Sequence, residues 1–351
     1  MKTYECDILV IGAGPAGSAA AHASACKGLN VLLIDRKAVV GVPVRCAEYI
    51  PSMLLREIDI GKGFIVQPVS GMRTFLPDGD IEETSAPGLM IRRDIFDQAM
   101  ALKAEDSGAV IWLNTRALNM DENGVVVTKK GETYKINAGI IIGADGPISR
   151  VGLWAGSANK NLIAAIQVTA DLAKPMNFTE VYFDKDIFGG YGWLFPKGDK
   201  ANIGIGEIKE SGKPGAVKEV LERFIARLRE DKRIRGKVSG YTFGWIPAEK
   251  VRSAVHGNIA LAGDAAGQTH PISGAGVAQA VVCGQMAGKW AARAIKAKDK
   301  SLLLEYDREW RDLYGDTQER AYGRRELMEK EWDHLDDIIR HCWIAFKEYY
   351  V

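Results

Sequence analysis

Gly12, Gly14 and Gly17 follow a short apolar run, Asp7 to Ile11, and precede the alanine-rich stretch Ser18 to Ala25. That order reads as a buried parallel strand, a glycine turn and a helix. Gly12 lets the chain turn tightly, Gly14 lets backbone approach a pyrophosphate, and Gly17 lets helix and strand pack closely. The helix N-terminus then offers free N–H groups and a positive dipole end to phosphates. A second strand, Asn30 to Ile34, ends in Asp35. Its carboxylate stands about 20 residues on, where it would accept hydrogen bonds from ribose hydroxyls. The whole series predicts a bound dinucleotide without separating NAD from FAD.

Two later motifs separate them. Ala138 to Ile142 reads as a buried strand leading into Gly143-Ala144-Asp145-Gly146-Pro147-Ile148-Ser149-Arg150. Asn258 to Ala262 reads as another, leading into Gly263-Asp264-Ala265-Ala266-Gly267, and the turn Ser273 to Val277 then opens an alanine-rich helix reaching about Ala294. Asp264 is suited to hold the hydroxyls of a ribityl chain. A helix N-terminus near Gly276 and Val277 would point its positive end at the flavin pyrimidine edge, favouring the negative charge that appears there on reduction. NAD has no ribityl chain, so FAD is the expected cofactor. Asp145 reads as a structural turn residue rather than a catalyst.

The three glycine motifs resemble those of the large flavoprotein group built on the para-hydroxybenzoate hydroxylase fold. Pro43-Val44-Arg45-Cys46-Ala47-Glu48 resembles the P-x-x-C-G stretch of the geranylgeranyl reductase family, with Ala47 where that family carries glycine. Tyr191-Gly192-Trp193-Leu194-Phe195-Pro196, with Asn202 to Gly206 after it, resembles the family's Y-x-W-x-F-P signature and the glycine-rich strand that follows. Arg93-Asp94-Ile95-Phe96-Asp97 resembles its R-x-x-F-D helix start, and the resemblance runs from residue 5 to about 290. It implies an α/β fold: a Rossmann-like FAD-binding domain with an inserted antiparallel-sheet substrate domain. It implies FAD contacts at Ala16, Asp35, Cys46, Ala47, Arg93, Ala117, Asp264, Gly276 and Val277. Taken alone, Arg93 reads only as a solvated charge before a helix. The region after the resemblance is short for the family.

The activity so implied is reduction of isoprenoid, geranylgeranyl-type carbon–carbon double bonds in a lipid or prenylated substrate. Hydride would come from reduced flavin N5 and a proton would go to the neighbouring carbon. Such an alkene is not polarised, so alignment must supply much of the catalysis. Tyr191, Trp193 and Phe195 alternate along one strand and therefore share a face. That face either lines an apolar channel beside the ring or is buried against the core. Cys46 has Arg45 beside it, and a nearby arginine lowers a thiol pKa; it is expected to orient substrate or manage a proton, or else only to wall the cofactor. His270, ahead of Pro271, either acts as an acid near neutral pH or hydrogen-bonds its own loop.

Two alternatives share the fold. Flavin halogenases carry a W-x-W-x-I-P element, and this chain has Tyr191 and Phe195 at the first tryptophan and the isoleucine. Electron-transfer flavoprotein–quinone oxidoreductases carry a cysteine-rich iron–sulfur module. The five cysteines here form no C-x-x-C pair, so neither a disulfide framework nor a metal or cluster site is expected. No second nucleotide fold is evident, and NAD(P)H, ferredoxin or another carrier, including an electron-donor protein, are each compatible as electron donor.

The 351 residues carry a net charge of +1, which gives no electrostatic reason to expect nucleic acid. The start lacks the features of a signal peptide, and no apolar run reaches the roughly 18 residues of a membrane span. A cytoplasmic protein is the expectation, with peripheral membrane contact compatible. Residues 1–70, 88–160 and 250–300 are expected to build the FAD domain, and 71–87 and 161–249 the inserted substrate domain, with a helix from Ala216 to Arg229. Residues 301–351 read as charged amphipathic helices whose Trp310, Tyr314, Trp332, Trp343, Phe346 and Tyr350 pack against the main body.

Overall fold

The apolar run after Asp7 lies at the centre of a parallel sheet. In the computed structural model, which describes residues 1–122, 124–208 and 216–351, strand Lys2–Ile11 runs parallel to Val31–Ile34 on one side and Glu132–Gly143 on the other. Val110–Trp112 and Ile259–Leu261 extend the parallel set outward. Ile8, Leu9, Val10, Leu32, Leu33, Ile140 and Ile142 are wholly buried. A sheet covered on both faces needs apolar side chains on both, so these strands show no polar alternation. Helices Pro15–Ala25 and Val277–Ala297 pack closely on one another. A Cβ on Gly284 would stand 2.2 Å from the Ala16 carbonyl oxygen, and one on Gly288 2.3 Å from that of Ala20. A hairpin, Thr115–Asp121 and Gly124–Lys129, continues antiparallel from the first half of Glu132–Gly143.

Among the described residues a second sheet of eight strands has the order Ile234–Pro247, Leu162–Leu172, Lys200–Glu207, Tyr191–Lys197, Phe178–Tyr182, Ile65–Phe75, Ile81–Ile91, Tyr49–Pro51. Its pairings are antiparallel apart from Phe178–Tyr182 against Ile65–Phe75. The sheet therefore reaches beyond residues 71–87 and 161–249, taking in Tyr49–Pro51 and the whole of Ile65–Phe75 and Ile81–Ile91. Helix Ala216–Glu230 covers one face, where Leu221, Phe224 and Leu228 meet Ile166, Val168, Ile203 and Ile205. Tyr191, Trp193 and Phe195 belong to the opposite face.

The C-terminal segment serves both sheets. Helix Leu304–Lys330 sends Trp310 and Tyr306 into the core of the parallel sheet. Beyond it, the turn Trp332–His334, helix Leu335–Cys342 and the residues that follow place Trp332, Trp343, Phe346 and Tyr349 in one cluster with Phe183, Tyr191 and Phe195. Tyr350 is exposed. No helix among the described residues is long and apolar enough to cross a membrane.

Candidate active site

The first glycine turn is closed at two positions and open at one. Gly12 sits at φ +105°, and a Cβ there would stand 2.2 Å from the Ala144 carbonyl oxygen; a Cβ on Gly17 would stand 1.7 Å from that of Gly12. Gly14 has nothing within 4 Å on its free side. It is also the N-cap of helix Pro15–Ala25, which has no side-chain cap and starts on proline. Proline costs nothing at that position, since its missing N–H would have had no partner inside the helix. Asp35 ends its strand beside this turn, accepting the Ala13 N–H at one oxygen and the Lys37 N–H at the other, each at 2.8 Å. Each carboxylate oxygen keeps a second lone pair for a ribose hydroxyl. Ala16 is buried, and its methyl group faces Gly263.

The other glycine turn has the same construction. Asp264 accepts the Thr269 hydroxyl at 2.7 Å. Burial pushes its carboxyl above the ordinary carboxylate range, with Thr269 and the Arg93 charge pulling the other way. A side chain on Gly276 would strike Thr269, at 2.9 Å, and come within 3.4 Å of Asp264. Gly276 caps helix Val277–Ala297 without a side-chain cap of its own, so its first turn is free to receive an anionic group. An open glycine at one uncapped helix and a recessed carboxylate at another suit the pyrophosphate and ribityl parts of FAD.

Cys46 lies at the junction of the two sheets. Its carbonyl accepts the Gln167 side-chain amide at 3.1 Å, and the oxygen of that amide accepts the Trp193 indole N–H at 3.0 Å. The Ala47 carbonyl accepts from Asn202 at 3.2 Å. The Cys46 sulfur accepts the Glu48 N–H at 3.2 Å. Arg93, which opens helix Arg93–Asp106, pairs with Asp97 at 3.0 Å. Burial opposes the Arg93 charge, but Asp97 and the adjacent Cys46 favour it more, and the net result lies above the ordinary arginine value. Arg93 thus acts electrostatically on Cys46 and Asp264 together, which groups three of the expected cofactor residues. Ala117 is buried in the hairpin next to Leu118, whose carbonyl is held by Arg150 at 2.8 Å. Asp145 accepts the Ser149 hydroxyl and the N–H groups of Arg150 and Val151, a turn-and-cap role.

The aromatic strand is fixed from both sides. Tyr191 and Trp193 meet edge to face with ring centres 6.2 Å apart, and Phe195 meets Tyr49 at 6.3 Å. The Trp193 ring lies across Gly204 of the next strand, where a Cβ would come within 2.2 Å of it. Trp343 of the C-terminal segment packs on Tyr191 at 5.3 Å. The Tyr191 hydroxyl donates to the Ser273 carbonyl, and burial pushes its pKa up, so it stays protonated. His270 accepts the Ser273 N–H at Nδ1 (3.2 Å), and its Nε2 is 3.3 Å from the Tyr349 hydroxyl. Burial lowers its pKa to about 4, so the ring is neutral at pH 7.

The residues that sequence motifs do not single out are those that tie segments together: Glu48, Gln167, Asn202 and Arg325. Buried Arg325 donates to the carbonyls of Pro271 and Gly189, at 2.9 and 3.2 Å, joining the His270 loop to the turn before Tyr191. Glu48 and Asn202 carried an indirect sequence signal, since one ends the Cys46 stretch and the other opens the glycine-rich strand after the aromatic signature.

The chain is similar to known proteins over most of its length. The model of the FAD binding domain family matches residues 5–321. The digeranylgeranylglycerophospholipid reductase of Methanothrix thermoacetophila is 35% identical over 344 residues, covering 92% of this chain and 87% of the relative. That of Methanosarcina mazei is 38% identical over 343 residues, covering 88% and 81%. Among solved structures, a geranylgeranyl bacteriochlorophyll reductase-like protein from Thermoplasma acidophilum superposes with a TM-score of 0.86 at 28% identity, covering 98% of this chain and 93% of that one. A flavin-dependent brominase shares the fold at a TM-score of 0.71 and 18% identity. The protein is therefore an FAD-dependent oxidoreductase with the para-hydroxybenzoate hydroxylase type of fold. Within that class, the chain belongs to the geranylgeranyl reductase family.

Proposed function

We propose that this enzyme saturates the isoprenoid double bonds of a membrane-lipid precursor of the digeranylgeranylglycerophospholipid kind. The observation that supports the reading is the hydrogen-bonded chain from the Trp193 indole through Gln167 to the Cys46 carbonyl, which ties the aromatic strand to the Cys46 loop. When bound, FAD would supply the hydride. Gly12, Gly14, Gly17, Ala16 and Asp35 would hold its adenosine and pyrophosphate end. Asp264, Gly276 and Val277 would hold the ribityl and pyrimidine end, and Cys46, Ala47, Arg93 and Ala117 would line the remainder.

The chain's own contributions are alignment and a proton. Tyr191, Trp193 and Phe195 offer an apolar face that orients an unpolarised chain and excludes water. The Tyr191 hydroxyl hydrogen is committed to Ser273. The Cys46 sulfur receives the Glu48 N–H and interacts with Arg93, and Cys46 is the group assigned to deliver a proton to the second alkene carbon. A neutral His270 holding two partners positions its loop instead. A separate carrier, NAD(P)H, ferredoxin or another, reduces the enzyme between turnovers. The lipid substrate is reached by peripheral contact with the membrane from the cytoplasm.

The test mixes anaerobically reduced enzyme with digeranylgeranylglycerophospholipid, following flavin reoxidation by absorbance and the lipid by mass spectrometry. Gain of one H2 per double bond supports the reading. Oxygen uptake coupled to a hydroxylated or halogenated product would overturn it. Cys46→Ser and Cys46→Ala variants that both turn over at the wild-type rate would remove Cys46 from the mechanism.

A further inference from the structure

Glu48 is 3% exposed and sits at φ +69°, in the left-handed region that non-glycine residues rarely occupy. Such a backbone conformation is costly and persists where the surroundings over-determine it. Here they do. One carboxylate oxygen accepts the Arg93 N–H at 2.9 Å, capping from afar a helix that has no side-chain cap of its own. The other accepts the Asn202 amide at 2.9 Å and pairs with Lys197, the last residue of the aromatic strand. The Glu48 carbonyl accepts the Ile91 N–H at 2.9 Å. Its own N–H points at the Cys46 sulfur. A single buried residue therefore joins the Cys46 loop, the Arg93 helix start and the end of the Tyr191–Phe195 strand.

We propose that Glu48 is a positioning residue: its buried carboxylate clamps the Cys46 loop between the Arg93 helix and the aromatic strand, and so sets where the thiol and the guanidinium stand. The proposal rests on the preceding reading for the role of Cys46, but the clamp itself is measurable without substrate. A loop held by charge-assisted bonds opens rarely, and alkylation of its cysteine reports that opening. Cys26 is exposed, and Cys283 and Cys342 are buried elsewhere, so they report reagent access and global unfolding respectively.

The experiment treats FAD-loaded wild type, Glu48→Gln and Lys197→Met with iodoacetamide, quantifying each cysteine by mass spectrometry, and measures kcat and KM for the lipid. Glu48→Gln keeps the shape and loses the charge. Lys197→Met removes the pair from its more exposed end, and serves if the glutamine variant folds poorly. Cys46 is expected to react about tenfold faster in both variants, the worth of one charged hydrogen bond, with the other cysteines unchanged. In the glutamine variant kcat is expected to fall by about tenfold or more while KM stays within about twofold, as for a misplaced catalytic group. Wild-type alkylation of Cys46 in both variants would overturn the proposal. So would equal acceleration at Cys283 and Cys342, which would mark Glu48 as a general stabiliser. A wild-type enzyme that reduces no isoprenoid lipid would sink the preceding reading and leave the alkylation pattern to decide the clamp by itself.

Discussion

Replacing Gly204 by alanine tests whether the Trp193 face is set as described. A Cβ at 204 would lie 2.2 Å from the indole Cζ2 and 2.5 Å from the Ile166 carbonyl oxygen. An ordinary carbon–carbon contact is about 3.5 Å, so the ring would have to retreat by about 1.3 Å. The neighbouring strand is less able to yield, because the oxygen is backbone within a paired ladder. Such a retreat carries the Trp193 N–H beyond hydrogen-bonding range of Gln167, now at 3.0 Å, and frees the amide that holds the Cys46 carbonyl. Overpacking costs about 1–3 kcal/mol and the lost bond about 1 kcal/mol. The stiffer unfolded chain of an alanine variant returns about 0.4–1 kcal/mol. The net expectation is a loss of about 2 kcal/mol in stability, with lipid turnover down by about 100-fold from displacement of the aligned wall. Urea titration followed by tryptophan and flavin signals reads the first, and single-turnover reoxidation the second. Adding Trp193→Leu should recover much of the stability and none of the turnover. A Gly204→Ala enzyme with wild-type melting and turnover would refute the packing assigned to Trp193.

Other measurements bear on the cofactor site and on pH. Asp264→Ala should weaken FAD binding by about 10–100-fold, the range for hydrogen bonds to a charged group, read by titrating apoprotein with FAD. Unchanged affinity would remove Asp264 from the ribityl end. His270 is buried neutral, with its pKa lowered to about 4. The unfolded chain takes up its proton near pH 6.5, so the native state is fully favoured above that value and loses up to about 3 kcal/mol as the pH falls from 6.5 toward 4. Comparing urea midpoints at pH 7 and 4.5, His270→Gln should show a shallower loss than wild type. Parallel losses would mean that the ring is not buried neutral.

The glycine turns, Asp35, Asp264 and the Tyr191–Trp193–Phe195 face were legible in the sequence because each is a local matter. Turn geometry, helix ends and strand alternation depend on residues only a few positions apart, so residue type and spacing carry the information directly. The same is true of helix Ala216–Glu230 and of the C-terminal aromatics at helical spacing, most of which do pack inward. Other features belong to the tertiary structure. Gln167 reaches Cys46 across 121 positions and Asn202 reaches Glu48 across 154. Strand Ile65–Phe75 joins the second sheet by pairing with Phe178–Tyr182 more than 100 positions on, and Tyr49–Pro51 joins it through Ile81–Ile91. Local pattern cannot reveal these partners, since a buried carboxylate and a solvated one have the same sequence. Their difference lies in which distant donors the sheet order brings to them. The glycine turns and their neighbouring carboxylates were thus readable from the chain, whereas the contacts that hold the Cys46 loop and the C-terminal cover over Tyr191 came from long-range packing.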